Sequence, residues 1–164
     1  MLGAVELPPP LVAALLERWP VARLATLGPD GPRQVPVVFA RAGGALWSPI
    51  DGKPKAAGEL ARVRHVRGDP RVSLLVDHYA DDWRRLWWIA VAGRAAVVQP
   101  ADASADREVV LAVAALRAKY PHYASVAVLR DPPTLLRIEP ASVRSWCAGA
   151  EALAQASAAL GAPA

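Results

Sequence analysis

The stretch that most restricts the fold is residues 86–99. It reads as one long strand with apolar side chains on both faces, Trp87, Ile89 and Val91 on one and Trp88, Ala90 and Ala92 on the other. Side chains alternate across a strand, so a run apolar at both parities has to be covered from two sides. A chain of 164 residues has material for one hydrophobic core. One face of this strand can pack on that core; the other suggests a subunit interface.

Around this strand the chain is punctuated by proline and glycine. Leu11, Leu15 and Leu16 sit at helical spacing ahead of Trp19, and Pro20 stops that short helix. Residues 21–27 read as a strand, Gly28-Pro-Asp-Gly-Pro32 as a turn, and residues 34–40 as a second strand. Pro36 cannot donate to a ladder, which assigns that strand to an edge or to a bulge. Gly43-Gly44 makes the next turn and residues 45–48 a third strand, so three strands form an antiparallel meander. A loop then leads to a helix over 56–67, with Leu60, Val63 and Val66 on one face and Gly68 at its C-cap. Strands follow at 72–79 and 86–99, a helix from Pro100 to about Ala118, and a last strand over 134–146. The order predicts an α+β domain with a mostly antiparallel sheet.

Composition removes several classes of function. With 54% hydrophobic residues the chain is not disordered, and its single cysteine, Cys147, excludes a disulfide framework or a multi-cysteine metal site. No metal site is expected, because the three histidines are scattered and no HExxH or CxxC occurs. No nucleophile elbow and no dinucleotide-binding glycine run appears, so the catalytic residues stay unknown and any catalysis has to come from a bound organic cofactor. There is no run of eighteen apolar residues free of charge and no signal-peptide pattern, so no membrane association and a cytoplasmic location are expected.

The formal net charge is +4, and its distribution is uneven. Between Lys53 and Arg71 lie Lys53, Lys55, Arg62, Arg64, Arg67 and Arg71 against Glu59 and Asp69, which accounts for the whole excess. Such a distribution argues against nucleic-acid binding, since the rest of the chain is neutral and the aromatics are not interleaved with the basic residues. Ser48, Lys53 and Lys55 on a loop feeding the helix of Arg62 could hold a phosphate; a solvated basic helix is the equal alternative on composition alone. Six tryptophans against one phenylalanine favour an aromatic, phosphorylated ligand, although core is the simpler place for Trp87 and a dimer interface for Trp88.

Three runs carry a family resemblance: Arg23-Leu-Ala-Thr-Leu27 with Val35-Pro-Val-Val-Phe39, Leu46-Trp-Ser-Pro-Ile-Asp-Gly-Lys-Pro-Lys55, and Arg64-His-Val-Arg-Gly-Asp-Pro-Arg-Val-Ser-Leu-Leu-Val-Asp77. Together they resemble the pyridoxamine-phosphate-oxidase-like flavin and deazaflavin oxidoreductases. The last run is similar to that family's Asn-Leu-x-x-Asp-Pro-Arg-Val signature, with His65 at the Asn position. Its continuation, Asp77-His-Tyr-Ala-Asp-Asp-Trp83 and Leu86-Trp-Trp-Ile89, resembles the coenzyme F420-dependent subgroup. The resemblance spans residues 20–146.

It implies a six-stranded antiparallel split β-barrel with peripheral helices over residues 1–147; by its composition alone the Ala-rich tail, 148–164, reads as helical or frayed. It further implies a homodimer with cofactor at the subunit interface. The cofactor phosphate would lie against Ser48, Lys53, Lys55 and Arg62, the ring along Val37, Val38 and Trp47, and Trp88 of the other subunit would close the pocket. The implied activity is hydride transfer from reduced F420 to a small electron-poor organic substrate. The alternatives are an FMN-binding oxidoreductase on the same fold and a non-catalytic carrier of F420 or flavin.

Overall fold

The computed structural model describes residues 5–52 and 58–161. Its elements are α1 (Pro9–Arg18), β1 (Ala22–Gly28), β2 (Gly31–Val37), β3 (Ala40–Ala42), β4 (Ala45–Pro49), α2 (Ala61–Gly68), β5 (Arg71–His78), β6 (Trp87–Val98), α3 (Arg107–Lys119), β7 (Leu135–Cys147) and α4 (Ala150–Ala159). The strands make one sheet in the order β2-β1-β5-β6-β7-β4-β3, and every ladder in it is antiparallel.

This order corrects two expectations. There are seven strands where six were expected, because residues 34–48 supply three short strands instead of two. Nor do the first strands form a continuous meander. β2 pairs only with β1, while β3 and β4 pair with each other and then with β7 at the far side of the sheet. The two edge strands, β2 and β3, are nevertheless joined by residues 38 and 39 alone. Two residues span roughly 10 Å from Val37 to Ala40. The sheet therefore has to curl until its edges nearly meet, with no ladder across the seam. The result is an antiparallel barrel held shut at one point by the chain itself.

Pro36 fits the edge position predicted for it, and Pro32 shares that strand, so the open side of β2 offers fewer donors to a stray strand. The β3–β4 turn uses Gly43 and Gly44 at φ +57° and +80°, the paired left-handed conformation of a tight hairpin. At Gly93 the need is for space. A Cβ there would stand 2.2 Å from the Glu139 carbonyl oxygen, where the β6–β7 register shifts beside Ala92.

Inward residues alternate along the central strands: Leu24 on β1, Leu74 and Val76 on β5, and Trp87, Ile89 and Val91 on β6 are all fully buried. α1 adds Leu15 and Leu16, α2 adds Val63 and Val66, and α4 adds Ala152 and Ala156 to the same core. α3 lies outside the barrel over β3 and β4, with Val109 and Ala112 against Trp47. It begins at Arg107 and not at Pro100, because the Asp106 carboxylate caps it, accepting the N–H groups of Glu108 and Val109 at 3.0 and 3.1 Å. α2 likewise begins at Ala61 among the described residues, later than the expected start at 56.

The second face of β6 points out of the barrel. Trp88 and Ala90 are half-buried and Ala92 is exposed, in rows with Leu75 and Ser73 of β5 and with Trp146, Arg144 and Ser142 of β7.

Candidate functional site

β4 leads directly into the region of interest. Ser48 faces inward beside Leu46, and its residue is 1% exposed, yet its hydroxyl has no hydrogen-bond partner. Burying an unmatched hydroxyl costs about 1–3 kcal/mol, so the orphan needs a reason. The chain then turns through Ile50, Asp51 and Gly52. The Ile50 N–H donates to the Thr134 carbonyl at 3.0 Å, the Gly52 N–H to the Ala127 carbonyl at 2.9 Å, and the Arg130 N–H to the Ile50 carbonyl at 3.1 Å. The loop is thus stitched to the segment that precedes β7.

Asp51 is 4% exposed and accepts a hydrogen bond from the Tyr123 hydroxyl at 3.0 Å. Burial, reinforced by the Asp51 charge, raises the Tyr123 pKa, so the phenol remains a donor at every working pH. Arg62, in the first turn of α2, is half-buried and its Nε is buried without a partner. Desolvation lowers its pKa; Asp51 acts in the opposite direction and Arg130 adds to the lowering. Among the described residues, the guanidinium groups of Arg62 and Arg130 and the Asp51 carboxylate therefore act on one another at this end of the barrel. Next to it a cavity of about 300 Å³ is lined by Ile50, Leu60, Val63, Gln99, Arg130 and Thr134, among others.

Of the residues singled out from sequence, Ser48 and Arg62 stand at this end. Lys53 and Lys55 lie outside the described residues. Trp47 is 2% exposed and packs with Val109, Ala112 and Leu135, its indole N–H donating to the Ala42 carbonyl at 3.1 Å. Val37 belongs to the barrel core, and Val38 packs at its side against the cluster of Leu116, Tyr120 and Tyr123. Trp88 is remote within one chain. Ser48 sits opposite Leu136, which sits opposite Val97, nine positions along β6 from Trp88. At about 3.3 Å per residue that is roughly 30 Å. The sequence reading missed Tyr123 and Arg130, which lie in a stretch with no strand or helix periodicity. Their only local signals are the aromatic run Tyr120-Pro-His-Tyr123 and a cation ahead of Asp131-Pro-Pro133.

No group of three or more metal-ligating side chains occurs among the described residues, and none of their helices is long and apolar enough to cross a membrane.

Curled antiparallel sheet, peripheral helices and an anion-suited end together define an α+β split barrel of the flavin-binding kind. The chain belongs to the pyridoxamine 5'-phosphate oxidase family, whose pattern matches residues 9–147. No curated protein matches it closely. Among solved structures it is similar to the conserved hypothetical protein Rv2991 of Mycobacterium tuberculosis, at 22% identity and a TM-score of 0.63 over 86% of this chain and 85% of that one. A FAD-binding protein of Mesorhizobium loti is 21% identical, with a TM-score of 0.62 over 88% and 96%. The heme storage protein HutZ of Vibrio cholerae is 15% identical, with a TM-score of 0.65 over 90% and 99%.

Proposed function

We propose that this protein is a cytoplasmic oxidoreductase that binds a phosphorylated flavin-type cofactor, coenzyme F420 in the first place, between two copies of the chain. The observation that carries the reading is the pair of buried donors without partners, Ser48 Oγ and Arg62 Nε, at the end of the barrel that holds an excess of positive charge. Such donors fit the oxygens of a phosphate, and Lys53 and Lys55 stand in sequence between them. When bound, the cofactor would supply hydride transfer to a small electron-poor organic acceptor. The protein's part is to anchor the phosphate, lay the ring near Val37 and Val38, and keep water away.

A homodimer is part of the same reading. Trp88 can reach the loop end only from a second copy, and the outward face of Leu75, Trp88, Ala90 and Trp146 offers the apolar surface to bring one.

Separate titrations of the purified protein with F420 and with FMN, read by tryptophan fluorescence, test this. Saturable quenching by F420 is expected; tight FMN binding with no response to F420 would move the assignment to the FMN alternative. Lys55→Ala and Arg62→Ala should each weaken binding by about 10- to 100-fold, the value of a charge-assisted hydrogen bond shielded from water. A second reading, a carrier that binds without turnover, is favoured by one observation: this barrel also occurs in a protein described as a heme storage protein. Binding of F420, FMN or hemin with no reduction of any activated alkene, quinone or nitro compound would select it.

A further inference from the structure

The segment between α3 and β7 has no part in the resemblance-based account of the site, yet it is tied to the loop by three backbone hydrogen bonds. We propose that Arg130, on this segment, is an anion-contacting residue that works with Arg62 on a phosphate oxygen, and that the Tyr123–Asp51 hydrogen bond helps hold the segment against the loop. The proposal deepens the phosphorylated-cofactor reading and rests on it.

The first support is rigidity. The bonds from Ile50 to Thr134, from Gly52 to Ala127 and from Arg130 to Ile50 fix the backbone at Arg130 relative to Asp51. At Gly52 the approach is close: a Cβ would meet the Ala127 carbonyl oxygen at 3.3 Å and the Ala127 Cβ at 3.4 Å. A fixed backbone limits where the Arg130 side chain can reach, which removes part of the ordering cost of binding a ligand.

The second support is charge. Arg130 donates one N–H, from Nη2, to the Gly58 carbonyl at 3.2 Å, and guanidinium carries five. The nearest acids are already engaged. Glu59, which lines the same cavity, is ion-paired with Arg67, and Asp51 takes the Tyr123 hydroxyl. Arg62 and Arg130 act on each other as like charges, and Asp51 acts against that effect. An anion placed between the two removes the repulsion and supplies the acceptor that the buried Arg62 Nε lacks. Planar forks of this kind suit the oxygens of a phosphate ester.

The third support is space. The adjoining cavity, about 300 Å³ with an apolar floor of Ile50 and Val63 and a polar wall where Gln99 Nε2 donates to Thr134 Oγ1 at 3.0 Å, has room for a phosphate with the short polyol chain that carries it. The ligand class is therefore an organic phosphate entered phosphate-first, with the ring left outside this cavity.

The test uses inorganic pyrophosphate, FMN and riboflavin as probes on the full chain and on Arg130→Gln, Arg130→Lys and Tyr123→Phe. Pyrophosphate should raise the melting temperature of the parent saturably and leave that of Arg130→Gln unmoved, while the two proteins melt together without ligand. FMN affinity should fall about 10- to 100-fold in Arg130→Gln with riboflavin affinity unchanged, and Arg130→Lys should recover part of the loss. Tyr123→Phe should reduce the FMN-to-riboflavin preference by less than Arg130→Gln does. If Arg130→Gln responds to pyrophosphate and FMN as the parent does, or if the parent gains nothing from pyrophosphate, the assignment of Arg130 is overturned. If the parent responds to pyrophosphate through Arg130 but binds neither FMN nor F420, the assignment stands and the cofactor reading falls. Should Arg130→Gln fail to fold, Arg130→Lys alone decides by its FMN-to-riboflavin ratio, which must fall below that of the parent.

Discussion

The two ends of the barrel use polar groups in opposite ways. Toward α1 and α4, the donors of Trp87, Lys119 and Tyr120 are matched, although His122 Nε2, whose ring lies 5.7 Å from that of Tyr120, is buried without a partner. The Trp87 indole N–H donates to Gln155 Oε1 at 2.8 Å, and Lys119 Nζ donates to the Leu16 carbonyl at 3.1 Å while resting 3.6 Å over the Phe39 ring. The Tyr120 hydroxyl accepts the Phe39 N–H at 3.0 Å and lies 2.9 Å from the carbonyls of Pro20 and Phe39. At the end of α2 and the 50–60 loop, Ser48 and Arg62 keep buried donors idle. Matched groups raise stability, whereas idle ones lower it and are retained where something else completes them. The first set of groups holds the fold together; the second is where the proposed cofactor phosphate would supply the missing partners.

Substitutions at the two ends should therefore separate stability from binding. The largest effect is expected for Phe39→Ala in the first set, a loss of about 3–5 kcal/mol in unfolding free energy by denaturant titration, because Phe39 is fully buried beside the seam. Tyr120→Phe should cost about 1–3 kcal/mol, since it leaves the buried Phe39 N–H without its acceptor.

Lys119 gives the first set a pH signature. Burial pushes its pKa down to about 7, so between pH 7 and the ordinary lysine value of 10.5 the unfolded chain holds a proton that the folded one sheds. Stability should rise with pH across that window, by at most about 1.4 kcal/mol per pH unit, and the rise should be missing in Lys119→Met. A parent and variant with parallel melting temperatures from pH 7 to 10 would show that the amine is solvated after all. The smallest loss of stability belongs to Ser48→Ala, which should lose nothing and gain up to about 1–3 kcal/mol, because a buried hydroxyl without a partner is removed; its cost should appear in cofactor affinity instead. A Ser48→Ala protein that is markedly less stable would erase the contrast between the ends.

Local patterns in the sequence were enough for the individual strands, for the Gly43-Gly44 turn and for Pro36 at an edge, since each depends on residues that are neighbours in the chain. The partner of β3 was not legible. Pairing with β4 and, through it, with β7 is decided by how the whole sheet curls, and no period-2 pattern records that. The site divided along the same line. Ser48 and Arg62 could be singled out because they flank a basic loop, whereas Tyr123 and Arg130 reach that loop from some seventy residues away, on a segment held there by backbone hydrogen bonds that residue type does not record. Trp47 shows the converse: its position beside Ser48 pointed to a ring-binding role, while its indole is enclosed by α3.

Residues 38 and 39 have a mechanical consequence. They act as a leash of fixed length on the seam, allowing the edges of β2 and β3 to part by no more than roughly 10 Å at that point, whatever happens further along. Any breathing of the barrel must then take the form of a wedge that widens away from the leash, toward Gly31 on one edge and the Gly43-Gly44 turn on the other. Lengthening the leash by a few glycines would loosen the hinge of that wedge without touching a single hydrogen-bonded ladder.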